Sequence, residues 1–381
     1  MQRISVKKTI VMILVILLLS LSLCLGTCKV VSIRYIELGI PSSFNYSNGI
    51  SARCPWDLII WEDKLFVGSG DYDVNAGPID IWYYDISQKA WMNSGTVPDE
   101  EINRFVVMDD FLIAPGIDPQ EDCTLGNLYY FKNDSWSIVR NIPGGMHCFD
   151  VVNYNGNIFV GLGVEPGKYP IAVSLDNGKS FTPVVMKKNG VSVDTSRSNN
   201  VRVYDLFVFN ETLYAIFLYG DTEITYDLYK YYKGEFVFDN ELYNKIHQVK
   251  YNNYIIGGKA EFKGNMYFTT GYLYVTNDMT NFTRIDFPNE KTVYDICIYK
   301  NNLYVLCGER LSNGRCEVSI WKNHNNDAAK FEEFFRFVYD ISPLSMACNQ
   351  EGFYIGMGER SSINDKNGMI LYIKYSMKKE N

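Results

Sequence analysis

Four aspartates open four similar stretches of the chain: Asp57 in "DLIIWEDKLFVGSGD", Asp150 in "DVVNYNGNIFVGLGVE", Asp205 in "DLFVFNETLYAIFLYGD" and Asp295 in "DICIYKNNLYVLCGER". After each Asp comes an apolar run, a polar turn and a second apolar run. Weaker copies open at Arg104, Gly258 and Ser345. Charged residues recur where the second runs end, at Asp71, Asp118, Glu165, Asp221, Glu309 with Arg310, and Glu359 with Arg360. Carboxylates gathered in this way suit a cation, an amine or sugar hydroxyls. Two of them ~5–9.5 Å apart could divide acid and base work in glycoside cleavage. His147, three residues before Asp150, is a further candidate base or ligand, although a hydrogen-bonded histidine is the plainer expectation. An Asp at a repeated position can equally cap a loop or bind a neighbour's backbone amides.

The elements that must position these residues are strands. Aromatic residues make up 15% of the chain and its apolar runs are short, rich in β-branched and aromatic residues and broken by Asn and Gly, which argues against long helices. The openings recur at intervals of 37 to 55 residues, close to the repeat length of propeller blades. Each unit adds two further strand-like pieces, as in "YPIAVSLDNGKSFTPVV", where Asp176, Asn177 and Gly178 supply a turn. The expected fold is all-β, a single seven-bladed propeller over residues 29–381. The last unit ends at "GMILYIKYSM" without a fourth strand, and residues 30–43 are expected to supply it and close the ring. A β-sandwich pair is the competing architecture. On such a blade the opening residues and second-strand ends share one rim around the channel. The connection 187–205 projects from that rim, and long connections often carry binding residues. Trp56, beside Asp57, is the one tryptophan expected there rather than in blade packing.

The N-terminus differs. Arg3, Lys7 and Lys8 precede an uncharged stretch from Thr9 to Cys28, the pattern of an export signal or signal anchor over residues 1–28. All its variants place the folded part outside the cytoplasmic membrane. Seven cysteines remain after Cys28, none spaced as C-x-x-C, and there are three His, so a structural zinc site is not expected. A net charge of -8 without a basic cluster excludes nucleic acid as a partner.

"SLDNGKSF" resembles the Asp-box hairpin of sialidase-like propellers, and the blade pattern is similar to kelch-type propellers; Asp-boxes are structural, so the resemblance implies a fold and not an activity. "LGTC" at 25–28 resembles a bacterial lipobox, which would make Cys28 a lipidation site. A sialidase-like site would need an arginine clamp, for which Arg53, Arg104, Arg310 and Arg360 are available, but "ARCP" keeps only the Arg and Pro of the family's F/Y-R-I-P signature. The expectation is an extracytoplasmic, monomeric binding module for a glycan or protein. Its membrane contact would be through the N-terminal segment, and it would need no cofactor beyond a possible Ca²⁺ at the acidic rim. A carbohydrate-active hydrolase and a purely structural role are the alternatives.

Overall fold

A computed structural model describes residues 35–44, 49–74, 77–121, 124–198, 200–220, 225–238, 257–324 and 327–374. The N-terminal segment with Cys28, and also Asp221, lie outside these residues. Every named element is a strand except two short 3-10 turns. Five four-stranded antiparallel blades are separate. The inner hairpin of blade 1 is Asp57–Trp61 with Lys64–Gly68, of blade 2 Val106–Met108 with Phe111–Pro115, and of blade 3 Lys259–Phe262 with Asn265–Thr269. Blade 4 begins with Thr292–Tyr299 and Asn302–Arg310, and blade 5 with Pro343–Cys348 and Gly352–Met357.

The expectation of seven separate blades is therefore corrected to five. The units opening at Asp150 and Asp205 do not stand apart but merge into one twelve-stranded sheet. Its two halves join where Gly163 and Val164 pair with Arg202 and Val201. Glycine permits this. A Cβ on Gly161 would come within 2.6 Å of Val203 O of the neighbouring unit, while one on Gly163 would come within 2.6 Å of the His147 ring in its own hairpin. The strand Asp99–Glu101 and its partner Ile117–Pro119 extend the sheet through the pair His147 and Ile117, and Met186–Lys188 adds to it beside Glu235–Phe238.

Among the described residues the N-terminal strand covers Tyr35–Gly39 of the expected span 30–43, and it lies where expected. Tyr35–Gly39 pairs with Met369–Lys374 as the outer strand of blade 5. Tyr339 donates a 2.8 Å hydrogen bond to Glu37 Oε1, tying that strand to blade 4. Between blades, aromatic rings interlock: Phe66 of blade 1 lies 5.0 Å from Phe131 of blade 2, and Tyr304 of blade 4 lies 5.0 Å from Phe353 of blade 5.

Inner hairpins use two-residue turns with paired positive φ, such as Glu62–Asp63, Asn155–Gly156, Asn210–Glu211 and Lys300–Asn301. That geometry matches strand twist and fixes each opening residue five positions ahead of its turn. The "SLDNGKSF" hairpin closes around Asp176, which accepts hydrogen bonds from Ser174 Oγ (2.7 Å), Ser180 N (2.9 Å) and Ser180 Oγ (2.6 Å). Blade 3 repeats this wiring at Thr276, Asp278 and Thr280, a copy whose missing glycine hid it from sequence comparison.

Candidate functional site

At four openings the inner strand carries a β-bulge immediately ahead of the opening residue. Register slips between Cys148 and Asp150, Val203 and Asp205, Val293 and Asp295, and Pro343 and Ser345. Each bulge adds one unpaired residue and bends the strand. The extra residues are Phe149, Tyr204, Tyr294 and Leu344, and the last three line a cavity of about 670 Å³ at one mouth of the channel. The residue that follows is turned to the channel waist. One local device thus sets both an aromatic wall and a charged floor.

The opening aspartates were expected at the rim. The structure divides them: Asp150 and Asp205 are each 1% exposed and are held at the waist by Arg104 and Lys259, whereas Asp57 and Asp295 also line the cavity at the mouth. Three of the four bind the next inner strand. Asp57 Oδ2 accepts from Phe105 N (2.6 Å), Asp150 Oδ2 from Leu206 N (2.8 Å) and Asp295 Oδ2 from Met346 N (2.7 Å). At the last opening Ser345 Oγ donates to Pro55 O (2.7 Å), continuing the circuit toward blade 1.

Two cations join this belt. Arg104 Nη1 lies 3.0 Å from Asp150 Oδ2 and 3.1 Å from Asp205 Oδ1, and Lys259 Nζ contacts the same two carboxylates. Four carboxyls thus face two cations in a site largely removed from water. Burial drives the Asp150 pKa up, but Arg104 and Lys259 more than reverse this and hold it below the usual carboxylate value. Among the described residues Asp57 and Asp295 make no ion pair of this kind. Burial pushes both up, and the neighbouring Asp57 charge pushes Asp295 further. Both shifts favour the neutral carboxyl, the form that suits a site with fewer cations than carboxyls.

Above the waist, the polar mouth is walled by Trp56, Tyr72, Tyr204 and Tyr294. Asp71, Asp73, Glu101 and Glu359 stand among these rings with Arg202 and Arg360. The Arg360 guanidinium lies 5.0 Å from the Trp56 ring centre, and Trp56 Nε1 donates to Gly70 O (2.8 Å). Asp71 accepts the Ser51 and Asp73 amides, whereas Glu359 accepts the Ser342 amide (3.1 Å) and contacts Arg310. Burial lifts the Glu101 carboxyl well above its ordinary value against the pull of the Tyr72 amide, and Asp71 adds to the rise. Arg202 Nε donates to Asn200 Oδ1 (3.3 Å), while its buried Nη1 has no hydrogen-bond partner among the described residues.

The expected residues therefore divide. Asp71, Glu359 and Arg360 line the polar mouth, and Asp57, Arg104 and Asp295 form its floor. His147 lies behind the wall, its ring stacked on Phe149 and its Nδ1 3.1 Å from Asp118 Oδ1. Burial, then Arg202, lower its pKa to about 3, so it is neutral at physiological pH. Glu165 is exposed, and Glu309 is paired with Lys291 at 3.2 Å; neither these two nor Arg310 line the mouth. Sequence reading missed Glu101, Arg202, Tyr204 and Tyr294. The acid run "DEE" at 99–101 marks the first, and the connection 187–205 delivers Arg202. The tyrosines were marked by a repeated dipeptide, an aromatic residue directly before the opening Asp, at 56–57, 149–150, 204–205 and 294–295. Among the described residues no group of three or more His, Cys, Asp or Glu is placed to hold a metal ion, and no helix is long and apolar enough to cross a membrane.

No protein-family model and no curated protein matches the chain. Among solved structures, virginiamycin B lyase from Staphylococcus aureus is similar at TM-score 0.53 and 10% identity, over 90% of this chain and 100% of that one. A chain of the mitotic checkpoint complex is similar at TM-score 0.50 and 8% identity, over 92% and 97%. At such identities the likeness is one of fold, and it supports the β-propeller without supporting a sialidase or kelch relationship.

Proposed function

We propose that this chain is an extracytoplasmic recognition module that takes a glycan in the polar mouth of its channel. The observation that carries this reading is the convergence of four aromatic rings with carboxylates, Arg202 and Arg360 around one cavity of about 670 Å³. A sugar ring offers an apolar face for Trp or Tyr and a periphery of hydroxyls for carboxylate and guanidinium groups. The charged N-terminus followed by an apolar run is the ground for placing the module outside the cytoplasmic membrane.

A hydrolytic reading has one specific observation in its favour. Glu101 is a carboxyl whose pKa burial pushes well above the ordinary value, beside the amide-bound Asp71. A protonated carboxyl next to a second one is what an acid catalyst of glycoside cleavage requires.

A glycan array and a panel of fluorogenic glycosides, run with the wild type, Arg202→Ala and Glu101→Gln, test both readings. Binding lost in Arg202→Ala at unchanged melting temperature supports the module. Turnover abolished by Glu101→Gln supports the hydrolase. If neither binding nor turnover is found, both readings are overturned and a protein partner takes their place.

A further inference from the structure

The waist carries a second link between blades 4 and 5. Asp295 holds the Met346 amide, and two residues further along both inner strands, in the same register, Cys297 Sγ lies 2.7 Å from Cys348 Sγ. Such a separation is closer than unbonded sulfurs settle and only a little beyond the ~2.05 Å of a disulfide bond. At the position of Cys297 the other repeats place apolar residues: Ile59, Val106, Val152, Phe207 and Ala260. The two thiols border a cavity of about 590 Å³ at the opposite mouth and are half-buried, so a small reagent can reach them. The other described cysteines, Cys54, Cys148, Cys307 and Cys316, are buried.

We propose that Cys297 and Cys348 form a disulfide that staples blade 4 to blade 5, the blade completed by the N-terminal strand. The oxidant is a small-molecule or protein disulfide. One cysteine thiolate attacks a sulfur of that disulfide, giving a mixed disulfide and releasing one thiolate. The second cysteine thiolate then attacks the protein sulfur of the mixed disulfide and releases the other. The two protons that the cysteines give up pass, through water, to the two released thiolates, and two electrons reduce the oxidant to its two thiols. The bridge fits a chain carrying an export-type N-terminus, since disulfides persist in oxidising compartments. Burial and then the neighbouring Cys348 hold the Cys297 thiol protonated, so bridge formation is expected to quicken as pH rises.

The test uses the full chain, reduced, freed of reductant and incubated with oxidised glutathione at neutral and alkaline pH. Intact mass and peptide mapping should show loss of two hydrogens and a linkage of the Cys297 and Cys348 peptides. The wild type should melt at a lower temperature once dithiothreitol is added. Cys297→Ser should melt as the reduced wild type does and be insensitive to dithiothreitol, and Cys348→Ser should capture glutathione on Cys297. The proposal is overturned if both cysteines of the wild type remain alkylatable, if each takes up glutathione singly, or if a different pair is linked.

Discussion

Replacing Asp150 with Ala should destabilise the protein, and by an amount that depends on pH. Asp150 accepts the Leu206 amide at 2.8 Å and balances Arg104 and Lys259 inside the waist. An orphaned buried amide costs about 1–3 kcal/mol, and breaking a buried ion pair from one side costs about 3–5 kcal/mol. The two terms overlap at one carboxylate, so the expected loss is about 3–5 kcal/mol near pH 5.5, a large share of a typical folding free energy. At higher pH the loss should shrink. In the wild type, Asp57 and Asp295 have folded pKa values above their unfolded ones. The native state therefore binds more protons, and stability falls as pH rises from the ordinary carboxylate range toward those raised values. The Asp150 charge is one cause of the Asp57 rise. Removing it lets Asp57 ionise beside Arg104 and take over part of the balancing. Each unit by which that pKa falls returns about 1.4 kcal/mol at high pH. Urea unfolding of both proteins at pH 5.5 and 8.5 measures the difference. A loss below about 1 kcal/mol at both pH values would remove the latch from the account, and a gap that widens with pH would refute the charge balance.

Other perturbations test separate parts of the structure. Gly178→Ala places a side chain at φ 83° with its Cβ 2.7 Å from Tyr130 Oη, and should cost about 1–2 kcal/mol in thermal or urea unfolding. His147 should not titrate by NMR between pH 5 and 8. Because its folded pKa of about 3 lies below the unfolded one, its contribution to stability is present above the unfolded value and is lost as pH falls toward about 3. Deleting residues 35–39 uncovers the edge of Met369–Lys374 and removes the Tyr339 contact to Glu37; size-exclusion chromatography should show more self-association than for the intact protein.

What was legible in the sequence is local. Asp57, Asp150, Asp205 and Asp295 announce themselves because each stands five residues ahead of a two-residue turn, and turn chemistry acts over a few neighbouring residues. The expectation that the N-terminal strand completes the last blade is likewise a matter of counting strands per unit, and the pairing of Ile36 with Tyr372 bears it out. Two features depended on the tertiary structure. Whether neighbouring units remain separate blades is settled where Gly163 meets Arg202, through a close approach that Gly161 permits against Val203 and that no repeat period encodes. Where Asp205 and Asp295 and the residues before them point is set by bulges, which leave the sequence pattern intact while placing Tyr204 and Tyr294 in the wall of the mouth. Glu101 and Arg202 share that mouth although they lie far apart in the chain. Side-chain periodicity records which residues share a face of one strand; it carries no information about which strands close around a common axis.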